Sequence, residues 1–149
     1  MMLKHTKGDL LTMAEAGDFD VIVHGCNCFN TMGSGIARQV RSQYPMAWEE
    51  DQKTERGDMF KLGCFTSAHT GKFIIINAYT QYGTSLNGED VFEYASFEII
   101  LKKLAYTYSG RKFGLPYIGM GLAGGDKDRI MAMIYDFARN VDVTLVEFV

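Results

Sequence analysis

Two kinds of apolar run alternate along the chain, and their spacing separates strands from helices. Val21-Ile22-Val23 and Phe73-Ile74-Ile75-Ile76 are unbroken, without the alternation of a half-exposed strand. Runs of this length suit central strands covered on both faces. They lie within expected strands at Asp20–His24 and Phe73–Ala78, and further strands are expected at Leu3–Lys7, Cys64–Ala68, Lys112–Tyr117 and Val141–Phe148. Between them the period changes to that of helices. Ile36, Ala37, Val40 and Tyr44 recur at helical spacing behind Gly33-Ser34-Gly35, and Pro45 suits the first turn of a second segment reaching about Thr54. Asp90-Val91-Phe92-Glu93 has the form of a capping box ahead of the stripe Phe97, Ile100, Leu101, Leu104. A last helix opens near Asp126 and puts Ile130, Met133, Ile134, Phe137 and Ala138 on one face. These stripes are core surface.

Strands alternating with helices predict an α/β domain spanning residues 1–149, a three-layer α/β/α sandwich with a mixed, largely parallel six-stranded sheet. Such sheets bind ligands outside the carboxyl ends of their strands, so function is sought in the segments that follow strands. The first runs from His24 to Ala37 and carries Gly33-Ser34-Gly35 into a helix. It reads either as a tight turn with a helix start or as an anion site made of unpaired N–H groups. The second, Leu115 to Asp126, holds Gly119, Gly121, Gly124 and Gly125. Glycines are costly to order, and a tight connection does not need so many, whereas a phosphate cradle does. The third, Asn77 to Tyr82, carries amide, hydroxyl and aromatic groups, with Thr80 able to line the same cleft. Tyr79 and Tyr82 equally suit covering the sheet edge.

Gly119, Gly121 and Gly124 satisfy G-x-G-x-x-G, but a dinucleotide-binding unit places that motif in its first βα turn with further units behind it. Here one helix and one strand remain before Val149, so that reading fails, and no G-x-x-x-x-G-K-[ST] loop occurs.

Composition narrows the classes further. Apolar residues make 47% and charged residues 22%, and the net charge of −3 supplies no basic field for nucleic acid. Cys26, Cys28 and Cys64 form neither a disulfide framework nor a metal-ligand spacing, so free thiols of a reducing cytoplasm are expected and no metal or cofactor is implied. The first residues lack a signal-peptide core, and no apolar run is long enough to span a bilayer. A cytoplasmic monomer with no membrane partner is the expectation.

Gly8-Asp9-Leu10, then Phe19 to Asn27, then Met32-Gly33-Ser34-Gly35-Ile36-Ala37, and finally Ile118 to Asp126 resemble, in order and over nearly the whole chain, the macrodomain family. The short architecture resembles stand-alone microbial and viral macrodomains, including those that process ADP-ribose 1″-phosphate. The resemblance implies that Asp9, with Leu10 beside it, takes the adenine amino group. It implies that Asn27 holds the distal ribose, Gly33, Ser34, Gly35 and Ile36 the distal ribose and its phosphate side, and Gly119, Met120, Gly121 and Leu122 the diphosphate. Without the resemblance, Asp9 reads as an aspartate closing a turn.

His24 stands where other macrodomains often have asparagine and resembles the histidine of a subset that dephosphorylates ADP-ribose 1″-phosphate. A strand-end imidazole titrating near about 6.5 has general acid–base chemistry within reach; its ordinary reading is a hydrogen bond to backbone. Asp126 is expected to orient the attacking water or simply to cap its helix. The implied function is ADP-ribose binding with hydrolysis of ADP-ribose 1″-phosphate. The alternatives are a glycohydrolase acting on ADP-ribosylated protein or nucleic acid, a non-catalytic reader, and an unrelated nucleotide-sugar or flavin-type module. Some relatives are thought to use a nucleophilic lysine after the central strand. This chain has Thr80-Gln81-Tyr82-Gly83 there, and Ala123 where their partnering aspartate stands.

Overall fold

The computed structural model describes residues 3–85, 87–121 and 123–149. Six strands form one sheet: β1 (Leu3–Gly8), β2 (Val21–Cys26), β3 (Phe65–His69), β4 (Ile74–Tyr79), β5 (Lys112–Leu115) and β6 (Asp142–Phe148). Their order is β1-β6-β5-β2-β4-β3, and every neighbouring pair is parallel except β3 with β4. The mixed, largely parallel sheet expected from the sequence is the sheet observed. All six residues of β4 are buried, as are five of the six of β2, which explains their unbroken apolarity. Strand β5 stops two residues short of the expected Tyr117. Pro116 has no N–H to offer a neighbouring strand, and the Ile118 N–H turns back onto its carbonyl at 2.7 Å.

The helices α1 (Leu10–Glu15), α2 (Gly35–Gln43) and α3 (Pro45–Gln52) cover one face, and α4 (Tyr94–Thr107) and α5 (Lys127–Phe137) the other. Residues alternate along β2 accordingly: Val21 and Val23 pack with Phe97, Ile100, Ile130 and Ile134, while Ile22 packs with Leu11, Val40 and Ala47. Helix α1 and a 3₁₀ turn at Met59–Lys61 were not anticipated. Six residues leave α1 too short to show a period, although Leu10, Leu11 and Ala14 are all buried.

The expected capping box is corrected. Helix α4 starts at Tyr94, with Glu93 at the N-cap making no side-chain cap bond. Asp90 instead accepts the Phe92 N–H at 3.0 Å and the Tyr94 hydroxyl. Phe92 pairs with Gln81 in an isolated bridge and buries its ring against Phe97, and burial of an aromatic outweighs one more helical turn.

The segment leaving β2 enters α2 on one face, and the segment leaving its neighbour β5 enters α5 on the other. Adjacent strands whose connections diverge leave a crevice at their carboxyl ends.

Candidate functional site

Two hollows open along that crevice. The first, about 500 Å³, is lined by residues that include Gly8, Asp9, Leu10, Gln39 and Glu147. The second, about 600 Å³, reaches Asn27, Thr31, Gly33, Gln81, Gly119 and Gly121. Gly35, Ile36, Pro116, Tyr117 and Phe148 border both, so the two form one continuous groove. The glycine loops therefore flank a shared hollow.

The walls differ in how their backbone groups are used. Asp126 caps α5 through its Oδ1, which accepts the Asp128 N–H at 2.9 Å and the Arg129 N–H at 3.2 Å. Asp9 does the same for α1, its Oδ1 accepting Leu11 N–H at 3.0 Å and Thr12 N–H at 3.1 Å. Helix α2 has no such cap. Ser34 at its N-cap makes no side-chain bond, and among the described residues the N–H groups of Ser34, Gly35, Ile36 and Ala37 find no acceptor. An uncapped amino end at a groove is an anion site in waiting. Across the groove the Gly119 and Gly121 N–H groups are likewise unpaired among the described residues.

The glycines of the second loop divide by cause. A Cβ on Gly119 would lie 2.5 Å from the Phe92 ring, and its φ is +74. On Gly124 it would meet the Glu89 carbonyl at 2.7 Å, and on Gly125 the Gly119 carbonyl at 2.5 Å. These three are demanded by packing and conformation. Only Gly121 faces open space, as do Gly33 and Gly35 opposite. Glycine density thus overstated the cradle, because close packing of the loop on residues 88–92 ahead of α4, and on Ile130 of α5, also consumes glycines.

Each expected site residue can now be placed. Asp9, Leu10, Asn27, Gly33, Ser34, Gly35, Ile36, Gly119 and Gly121 line the groove. Asn27 shapes its own loop, donating to Thr31 Oγ1 at 2.7 Å and accepting the Phe29 N–H at 2.8 Å. Leu122 lies outside the described residues. Met120 does not line the groove; its side chain packs into the core beneath, and its N–H is bonded to the Tyr117 carbonyl at 3.2 Å. Thr80 is corrected too: it is 1% exposed and sits behind Gly25, where an added Cβ would be 2.9 Å from its Oγ1.

The placement of His24 overturns the expectation that it faces the cleft. Residues alternate across β2, so His24 points beneath α3 and is 1% exposed. Its Nε2 lies 2.7 Å from Asn77 Oδ1. Asn77 donates through Nδ2 to the Ala47 carbonyl and to Thr66 Oγ1, each at 3.0 Å, so its Oδ1 is the acceptor and His24 is the donor. Desolvation pulls the imidazole down to about 4 against the opposing pull of the Asn77 bond. Nδ1 then keeps a lone pair with the Cys26 thiol 3.9 Å away, a thiol that desolvation raises well above its ordinary value. A neutral imidazole sealed under a helix has no route to a substrate. Asp126 likewise stands outside the groove and serves its helix.

Several groove residues escaped the sequence reading: Tyr117, Phe148, Gln39, Glu147, Thr84 and Ser85. Phe148 shows itself only in the structure, where it borders both hollows and is 65% exposed. Charge in the groove is confined to Asp9 and Glu147; among the described lining residues there is no cation. Among the described residues no cluster of acidic, histidine and cysteine side chains suits a metal ion.

No family model matches the chain. It is 31% identical to the 17.5 kDa protein of the tk-vs intergenic region of Enterobacteria phage T4, over 99% of this chain and 97% of that protein. Among solved structures, a Bacteroides thetaiotaomicron protein of unknown function superposes with a TM-score of 0.81 at 24% identity, covering 99% of this chain and 98% of that one. The macrodomain of Mycobacterium tuberculosis DarG gives 0.76 at 22% identity, covering 97% of both chains. Thermosipho africanus DarTG, solved in complex with ADP-ribose, gives 0.77 at 16% identity over 99% of this chain and 42% of that one. The chain has the macrodomain fold and belongs to one family with the phage T4 protein.

Proposed function

We propose that the groove binds ADP-ribose, free or attached to a macromolecule. The observation that carries this reading is the pairing of two joined hollows with the uncapped amino end of α2 between them. A ligand with two cyclic ends and an anionic link matches that form: a base beside Asp9, a ribose beside Asn27, and a diphosphate against free N–H groups. With no cation among the described lining residues, main-chain N–H groups hold the charge. Each helix end contributes roughly 0.3–1 kcal/mol and each charge-assisted bond about 1.5–3 kcal/mol, enough for micromolar affinity at about −8 kcal/mol. The Thermosipho africanus DarTG structure in complex with ADP-ribose, which shares this fold over 42% of its length, adds support.

A second reading, hydrolysis of ADP-ribose 1″-phosphate, draws on the same free N–H groups, which would steady a phosphate at the far hollow. It loses the acid–base roles first expected of His24 and Asp126, because neither reaches the groove. Binding without turnover is therefore the reading the geometry favours.

Calorimetry should give a dissociation constant in the micromolar range for ADP-ribose, with AMP at least about tenfold weaker because it lacks the second phosphate and ribose. Equal or absent heats would end the proposal. In parallel, incubation with ADP-ribose 1″-phosphate should release no phosphate. Release that persists in His24→Gln and Asp126→Asn would install the second reading, with its chemistry on other groups.

A further inference from the structure

Behind the first loop lies a buried cation that none of the foregoing uses. Lys61 ends the 3₁₀ turn at Met59–Lys61 and is 7% exposed. Lysine is almost never buried without partners, since removing an ammonium from water is expensive. Its Nζ donates to Asn30 Oδ1 at 2.6 Å and to Thr54 Oγ1 at 3.0 Å, and it stands 5.2 Å from the centre of the Tyr79 ring. Tyr79 in turn donates its hydroxyl to Asp51 Oδ1 at 2.7 Å, so an acid as buried as the lysine balances the charge without touching it.

The residue this cation grips is unusual. Among the described residues Asn30 is the non-glycine residue with positive φ, at 59. That conformation is sparsely populated for residues other than glycine, asparagine entering it more readily than most, and single residues held there are fixed by their surroundings. Here they do so from three sides. Lys61 takes Oδ1; the Thr54 carbonyl takes Nδ2 at 2.8 Å; and Gln52 Nε2 donates to the Asn30 carbonyl at 3.0 Å. Asn30 itself does not line the groove, but Asn27, Thr31, Gly33 and Ser34 around it do. The bend at Asn30 therefore sets where the loop's groove-facing atoms and the free end of α2 stand.

We propose that Lys61 is a positioning residue for the groove: its ammonium locks Asn30 in the left-handed bend and so holds the first loop in its ligand-ready form. This rests on the ADP-ribose reading for its ligand, and the ordering it describes is independent of that ligand. Pre-set loops bind more tightly because ordering is not charged against affinity.

Two variants test it. Lys61→Met keeps the length of the side chain and removes the charge. Asn30→Gly tolerates the bend without side-chain anchors and keeps the buried lysine. Each is assayed well below its melting temperature, by ADP-ribose calorimetry and by amide hydrogen exchange of residues 28–33. Each should weaken binding about tenfold and speed exchange in that loop while leaving α4 and β4 protected. The double variant should bind about as well as the weaker single one, since both changes release one bend. If Lys61→Met does not fold, Asn30→Gly decides alone. Unchanged loop exchange overturns the proposal, as does faster exchange with wild-type affinity. Should the wild type itself bind no ADP-ribose, the functional reading falls and the exchange data alone judge the lock.

Discussion

At Asp9 one carboxylate oxygen, Oδ1, accepts two N–H groups of α1. The other, with no partner among the described residues, is left for a donor in the first hollow. Turn-closing and ligand-reading roles, alternatives in the sequence, are compatible in the structure because a carboxylate has two oxygens. They can be separated. Asn is as good an N-cap as Asp, so Asp9→Asn should leave the melting temperature near wild type. Its free amide group would present a donor to the adenine amino group, itself a donor, and ADP-ribose affinity should fall about tenfold, about 1.4 kcal/mol, with ribose 5-phosphate unaffected. Equal losses for both ligands would mean that Asp9 only caps. Much of the groove's lining was legible at this scale because hollows walled by main chain leave glycines and strand-end polar residues in the sequence. His24 and Thr80 were misplaced because a strand's two faces differ only by parity, and parity at a strand end depends on where the strand stops; Met120 lies in the turn beyond β5, where no periodicity tells which side chain goes inward. The buried lock of Lys61 on Asn30 was invisible, since its partners are 31 residues apart and share no motif.

Helices α1 and α5 open on an aspartate that caps them, whereas α2, α3 and α4 have no side-chain cap, and of these three α2 is the one that opens on the groove. If α2 is left uncapped for a ligand's phosphate, a cap supplied in cis should compete with it. Ser34 has the extended conformation of an N-cap, φ −149 and ψ 160, and is exposed. Ser34→Asp should therefore stabilise the protein by about 0.5–1 kcal/mol, a rise of roughly 2 °C, while weakening ADP-ribose at least about tenfold through charge repulsion. A more stable variant with unaltered affinity would detach α2 from the ligand. The elements themselves were largely readable. Buried strands β2 and β4 declare themselves by unbroken apolarity, and α4 and α5 by their stripes. What failed were short or competing signals: α1 is under two turns long, and the Asp90–Glu93 box was overridden by burial of Phe92.

For the molecule as a whole, the polar network under α3 ties stability to pH. His24 is neutral in the folded protein, with a pKa lowered from 6.5 to about 4 by desolvation, the Asn77 bond opposing. The unfolded chain takes up the proton first as pH falls, so stability from this group is present above about pH 6.5 and drains away towards pH 4. The full loss is on the order of 3 kcal/mol. Asp51 acts in the opposite sense. Burial raises its carboxyl above 3.8 despite the Tyr79 bond and the nearby Lys61, so its contribution is full below about pH 3.8 and declines as pH rises. A wild-type profile alone mixes the two. His24→Gln separates them, because a glutamine amide can still donate to Asn77 Oδ1 and does not titrate in this range. Denaturant unfolding of both proteins from pH 7.5 to 4.5 should show the wild type falling relative to the variant by most of that amount, with the divergence starting near pH 6.5. Parallel profiles would mean that the imidazole reaches solvent and keeps its ordinary affinity for protons. A histidine of that kind would stand where a substrate could meet it, and acid–base chemistry would be open to His24.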